Sequence, residues 1–127
     1  MTTHYKPTEK ELEILQVLWT QGPATVRAVN DRLGKGREIG YTTTLKLMQI
    51  MFDKGLVSRQ KEGKTHIYSA EISEEKTQNQ LLDRLLDTAF KGSAMKLVMQ
   101  ALGHKKPSKE ELEEIRKYID QLEGGMK

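Results

Sequence analysis

The stretch from Gly40 to Ala70 leaves this chain the fewest choices. Its first half, from Tyr41-Thr42-Thr43-Thr44 to Lys54-Gly55, spaces apolar residues by three and four and stops at a glycine, which predicts a helix over about residues 41–54. Its second half alternates. Leu56 to Gln60 reads as a strand, Lys61-Glu62-Gly63-Lys64 as a turn, and Thr65 to Ala70 as the returning strand. On the helix, Thr44, Leu47, Met48 and Met51 fall on one side, flanked by Leu45 and Phe52. Thr42, Thr43, Lys46, Gln49 and Asp53 fall on the other. Three successive threonines are poor helix formers, so capping and contact explain their place at the helix start better than propensity does. In the hairpin, His66 and Tyr68 share one face and Ile67 and Ser69 the other, with Tyr68 closing the core. Arg59, Lys61 and Lys64 gather at its projecting tip.

Two helices precede this unit. Thr8 and Glu11 form a capping box, followed by Leu12, Ile14, Leu15, Leu18 and Trp19 on a wide apolar face, and Gln21-Gly22-Pro23 ends the helix. Trp19 reads as core. A second, short helix starts at Thr25 and buries Val26, Val29 and Leu33. Gly34-Lys35-Gly36-Arg37 then breaks it, as a plain connection or as a basic approach to phosphate. Three helices followed by a two-stranded hairpin is the winged helix-turn-helix order. A helix whose open face carries short polar residues, a lysine and a glutamine can lie in a major groove. Its start and hydroxyls would hold phosphate, while Lys46 and Gln49 reach base edges. The competing reading is an ordinary solvated helix face.

Charge distribution fits the first of these and also ordinary surface lysines. Net charge is only +3, but residues 1–73 hold 11 Lys and Arg against 8 Asp and Glu, whereas residues 74–127 hold 10 of each. The excess lies in the half with the helix and hairpin, as suits a module that meets a polyanion on one side.

From Ser73 the pattern changes. Leu81, Leu82, Leu85, Leu86, Ala89 and Phe90 stripe a helix, Gly92-Ser93 interrupts it, and Met95, Leu97, Val98, Met99 and Leu102 follow on another. Ser108 and Glu111 open a last helix with a second capping box, and Leu112, Ile115, Ile119 and Leu122 run along it to Gly124-Gly125. Three short helices are too few for a strong core of their own. Their stripes are expected to meet a second copy of the chain, through Leu82, Leu85, Leu86, Phe90, Leu97, Val98, Leu112, Ile115, Ile119 and Leu122. Burying six to eight such side chains at about 1.5–3 kcal/mol each offsets the cost of association. The alternative is a tail folded back on the first domain.

Several function classes drop out. Gly63-Lys64-Thr65 resembles the end of a phosphate-binding loop, but position 58 is serine where that motif needs glycine, and a hairpin is the wrong context. His4, His66 and His104 have no ligand spacing, so neither a metal nor another cofactor is expected. The chain has no cysteine, no apolar run near the roughly 20 residues of a membrane helix, and no apolar signal-peptide segment at its start. No nucleophile with its base stands out. A non-enzymatic, cytoplasmic protein with no membrane insertion is expected.

The blocks Glu11-Leu12-Glu13-Ile14-Leu15-Gln16-Val17-Leu18-Trp19, Tyr41-Thr42-Thr43-Thr44, Lys54-Gly55-Leu56-Val57 and Glu110-Glu111-Leu112-Glu113-Glu114-Ile115-Arg116 resemble the penicillinase repressor (BlaI/MecI/CopY) family, over about residues 8–122. The resemblance implies a homodimer of winged-helix domains that binds a palindromic double-stranded DNA operator and represses a nearby operon. It maps the major-groove helix onto Thr42, Thr43, Lys46 and Gln49, and the wing onto Lys61 and Lys64. In the penicillinase branch a membrane sensor protease triggers cutting at an Asn-Phe bond; the matching positions here are Gln100 and Ala101. The copper-responsive branch carries a cysteine cluster that this chain lacks, which excludes copper sensing by that route.

The expected architecture is mainly α with a small β wing, a winged helix-turn-helix DNA-binding domain over residues 1–72 and a three-helix dimerisation module over residues 73–127. The expected function is sequence-specific repression through Thr42, Thr43, Lys46, Gln49, Arg59, Lys61 and Lys64. The alternative is a winged-helix protein-interaction module whose basic face is incidental.

Overall fold

Thr8 fixes where the chain first becomes regular. Its hydroxyl accepts from the Glu11 amide at 3.2 Å while its own amide donates to Glu11 Oε1 at 2.9 Å, closing the capping box that opens α1, Glu9–Gln21. The structure, a computed structural model, describes residues 6–34 and 40–125. Thr25 caps α2, Val26–Leu33, through the Ala28 amide at 3.1 Å. The Lys35-Gly36-Arg37 part of the following link lies outside the described residues. Then come α3, Tyr41–Asp53, and the strands β1, Val57–Glu62, and β2, Thr65–Ala70. Three further helices complete the chain: α4, Glu74–Ala89, α5, Ala94–His104, and α6, Lys109–Gly124. The architecture is mainly helical with a two-stranded antiparallel wing, as the periodicities predict.

The hairpin corrects one expected boundary. β1 runs on through Lys61 to Glu62, and the turn is only Gly63-Lys64, with Glu62 opposite Thr65. Gly63 takes φ 64°, the positive value that the first central residue of a tight two-residue turn needs and that glycine adopts without steric cost. Lys61 and Glu62 are therefore ladder residues. The register sets Arg59 opposite Tyr68 and Lys61 opposite His66 on the same face.

A pairing that local patterns did not suggest joins the first inter-helix link to this sheet. The Ala24 amide donates to the Tyr68 carbonyl at 3.0 Å, and the Tyr68 amide donates back to the Ala24 carbonyl at 2.8 Å. That exchange anchors the wing to the start of α2.

The chain divides into two compact units, Met1–Asn79 and Gln80–Lys127, with the boundary inside α4. The first has a well-filled core. Ile14, Leu15 and Leu18 of α1, Val26 and Val29 of α2, Met48 and Met51 of α3, and Leu56, Val57 and Tyr68 of the wing are buried together. Trp19 is only half-buried; its ring packs on this core and its Nε1 donates to the Ile72 carbonyl at 3.0 Å. Among the described residues no buried side-chain polar atom lacks a hydrogen-bond partner.

Two polar ties set the pose of α3. Thr44 is fully buried and its hydroxyl donates to Asn30 Oδ1 at 2.6 Å, linking α2 to α3. At the far end, the Lys54 ammonium donates to Glu11 Oε2 at 2.9 Å, with Glu11 only 2% exposed and Lys54 29%. The capping box explained Glu11 locally, but the same carboxylate also holds the C-terminal end of α3 against α1.

In the second unit, no described residue is buried. Ser93 caps α5, and Ser108 with Glu111 forms the expected capping box of α6. Among the described residues no helix is long and apolar enough to cross a membrane, and no group of three or more His, Cys, Asp or Glu is placed to hold a metal.

Candidate nucleic-acid interface

The buried side of α3 decides what its other side offers. With Thr44, Met48 and Met51 in the core, Thr42, Thr43, Lys46, Gln49 and Asp53 are all exposed. Gly40 precedes the helix and has no side chain to cap it, and among the described residues no side chain takes that role. The first-turn amides of α3, which no described side chain caps, lie at the positive end of the helix dipole.

Beside this face lies a concavity of about 550 Å³, formed between the starts of α2 and α3 and the wing. Arg27, Arg59 and Lys64 bring three cations to its wall, with Thr25, Gln49 and His66 among the other polar groups; no described carboxylate lines it. A wall with cations and hydroxyls and no described acid suits a polyanion.

Two of the arginines are held by aromatic rings. The Arg59 guanidinium lies over the Phe52 ring at 4.0 Å from its centroid, and its Nη1 donates to the Tyr68 hydroxyl at 3.4 Å. Arg59 is therefore at the base of the wing, three ladder pairs back from the turn-closing pair, and not at the tip where sequence reasoning put it. The cause is physical: stacking and a hydrogen bond fold the long side chain down onto α3. Lys64 is in the turn and Lys61 one pair behind its closing pair, both exposed. Arg27 lies over the Tyr41 ring at 5.1 Å. Sequence reading passed over Arg27 and Tyr41. The available signal was an arginine one residue after the buried Val26, on the exposed side of α2.

The residues expected at a subunit interface all lie in the second unit. Leu82 and Leu85 are 43% exposed, Val98 49%, Ile119 49% and Leu122 51%; Leu86, Phe90, Leu97, Leu112 and Ile115 are half-buried. Met95, Met99 and Tyr118 are also well exposed.

A family model described as penicillinase repressor matches residues 7–121 of the chain. The methicillin resistance regulatory protein MecI of Mammaliicoccus sciuri is 21% identical over 116 residues, which cover 91% of this chain and 94% of that protein. The transcriptional regulator BlaI of Mycobacterium tuberculosis is 25% identical over 117 residues, 91% of this chain and 83% of its own length. Among solved structures, the DNA-binding domain of the repressor BlaI has the same fold, with a TM-score of 0.52 at 24% identity over 58% of this chain and 90% of that domain.

Proposed function

Since the chain belongs to the penicillinase repressor family, we propose that it is a sequence-specific, dimeric transcriptional repressor that binds a palindromic operator through α3 and the wing. The observation that carries this reading is the cation-lined concavity, with no described carboxylate on its wall, beside the exposed polar face of α3. Lys46 and Gln49 are the side chains for base edges, with Thr42 and Thr43 beside them. Arg59, Lys61 and Lys64 neutralise phosphates along the wing.

Residues 1–72 are the DNA-reading domain on this reading, and residues 73–127 the dimerisation module. The second unit, Gln80–Lys127, has no buried described residue and needs a partner for its apolar side chains, and an identical unit supplies a matching set. The protein acts in the cytoplasm, where its DNA is. A sensor protease is a partner only if it can act on helical backbone, because Gln100 and Ala101 lie inside α5 and the Ala101 carbonyl accepts from Lys105 at 3.0 Å.

The test is a binding titration of the full chain against duplex DNA from its own upstream region, at several salt concentrations. Neutralising about six to eight phosphates per dimer gives a slope of log K against log salt near −5 to −7, at about 0.9 per contact. A flat salt dependence would instead mark the fold as a protein-interaction module and end this reading.

A further inference from the structure

Ile50 is the apolar exception on the exposed face of α3. It is 38% exposed, four residues beyond Lys46 and seven beyond Thr43, and so lies on the same open side of the helix. The other apolar residues of this helix have a place within the first unit. Met48 and Met51 are core, Leu45, Leu47 and Phe52 pack against the core, and Tyr41 lies under Arg27. Ile50 belongs to none of these sets. Gln49 borders the wing-side concavity, whereas Ile50 and Thr43 occupy the opposite edge of the open face.

We infer that Ile50 is a specificity residue that packs on the C5-methyl group of a thymine in the major groove. The inference rests on the DNA-reading role proposed for α3. A branched alkyl group can neither donate to nor accept from a phosphate or a base edge. In the major groove the four bases offer one apolar group, the thymine methyl. Lys46 is four residues away, about 6 Å along the helix, which corresponds to about two base steps of 3.4 Å. The methyl-bearing thymine therefore lies within about two base pairs of the position that Lys46 reads.

The experiment uses the full-length chain and a duplex that it selects from a randomised pool. Each thymine of that duplex is replaced in turn by uracil, which removes the methyl group and leaves every hydrogen-bonding atom in place. At one position per half-site, uracil is expected to weaken binding about fourfold, the worth of one buried methyl group. Ile50→Ala is expected to lose affinity for the thymine duplex and to be indifferent to uracil at that position. Ile50→Val, which keeps a branched group, retains part of the methyl preference; helix content measured on both variants guards against a folding defect. A protein that keeps a preferred duplex yet tolerates uracil at every position overturns the Ile50 assignment alone. So does an Ile50→Ala variant that stays as methyl-sensitive as the parent. Failure to recover any preferred duplex overturns base reading by α3, and the Ile50 assignment with it.

Discussion

Substituting Lys54 by methionine tests whether the α1–α3 tie is as important as its burial implies. Glu11 is 2% exposed; one carboxylate oxygen accepts the Thr8 amide at 2.9 Å and the other accepts the Lys54 ammonium at 2.9 Å. Lys54→Met keeps the length of the stem and removes the charge. It leaves a buried carboxylate with its capping bond but no cation. Breaking a buried pair by removing one partner costs about 3–5 kcal/mol. Lys54 is itself 29% exposed, so water softens the loss and the lower end, about 3 kcal/mol, is expected here. The double variant Lys54→Met, Glu11→Gln removes the orphaned charge while keeping an oxygen for the Thr8 amide, and should recover most of that loss. Urea unfolding followed by tryptophan fluorescence is the assay. The one tryptophan, Trp19, packs on the core of the first unit and is bonded to Ile72, so it reports on the unit being tested. A Lys54→Met unfolding free energy within about 0.5 kcal/mol of the parent's, in the range of an ordinary surface change, would refute the reasoning. So would a double variant no more stable than the single one, because it would show no coupling between the two groups.

Leu85→Asp places a charge among the exposed leucines of α4 and should give monomers by sedimentation, with operator affinity about 100-fold lower through lost bivalency; an unchanged sedimentation profile refutes the dimer. Lys46→Ala should lose about 1–3 kcal/mol of discrimination at one base position per half-site, and a specificity profile identical to the parent would remove Lys46 from base reading. Lys64→Ala, at the wing turn, should weaken all duplexes by the same factor and reduce the salt slope by about one per subunit; a change confined to one sequence would contradict a phosphate role. Arg59→Lys should destabilise the first unit by about 0.5–1 kcal/mol, since an ammonium cannot reproduce the planar stack on Phe52 and the bond to Tyr68; an unchanged urea midpoint would show the stack to be incidental.

Periodic features of this fold were legible because they are local. The capping boxes at Thr8 and Ser108, the division of α3 into a Thr44–Met48–Met51 side and a Thr42–Lys46–Gln49 side, and the break at Gly55 all follow from spacing within one or two helical turns. What stayed hidden depends on partners distant in sequence. The Ala24–Tyr68 bridge spans the whole helix-turn-helix and carries no periodic mark. Glu11 already had a complete local explanation as a cap, so nothing in the sequence asked for Lys54 as well. Arg59 was misplaced for a related reason. Its distance from Gly63 was visible, but the Phe52 ring that pulls it down is on another element. The concavity was hidden too, because Thr25 and Arg27 reach it from α2, a helix read from sequence only for what it buries.

The two units solve opposite problems, and their difference bears on how such a repressor could be released. The first is well packed: its described buried polar side chains are paired and its core draws on α1, α2, α3 and the wing. On the proposed reading, the surface that meets DNA is thus set by folding and does not wait for a partner. The second has no buried described residue, so on the dimer reading its stability depends on protomer concentration. Two half-site contacts joined in one molecule bind far more tightly than either alone, because the second becomes intramolecular. A signal that parts the α4–α6 faces would therefore abolish that gain without touching Lys46, Gln49 or the wing. The surface that finds the operator and the surface that lets it go can then change independently in sequence.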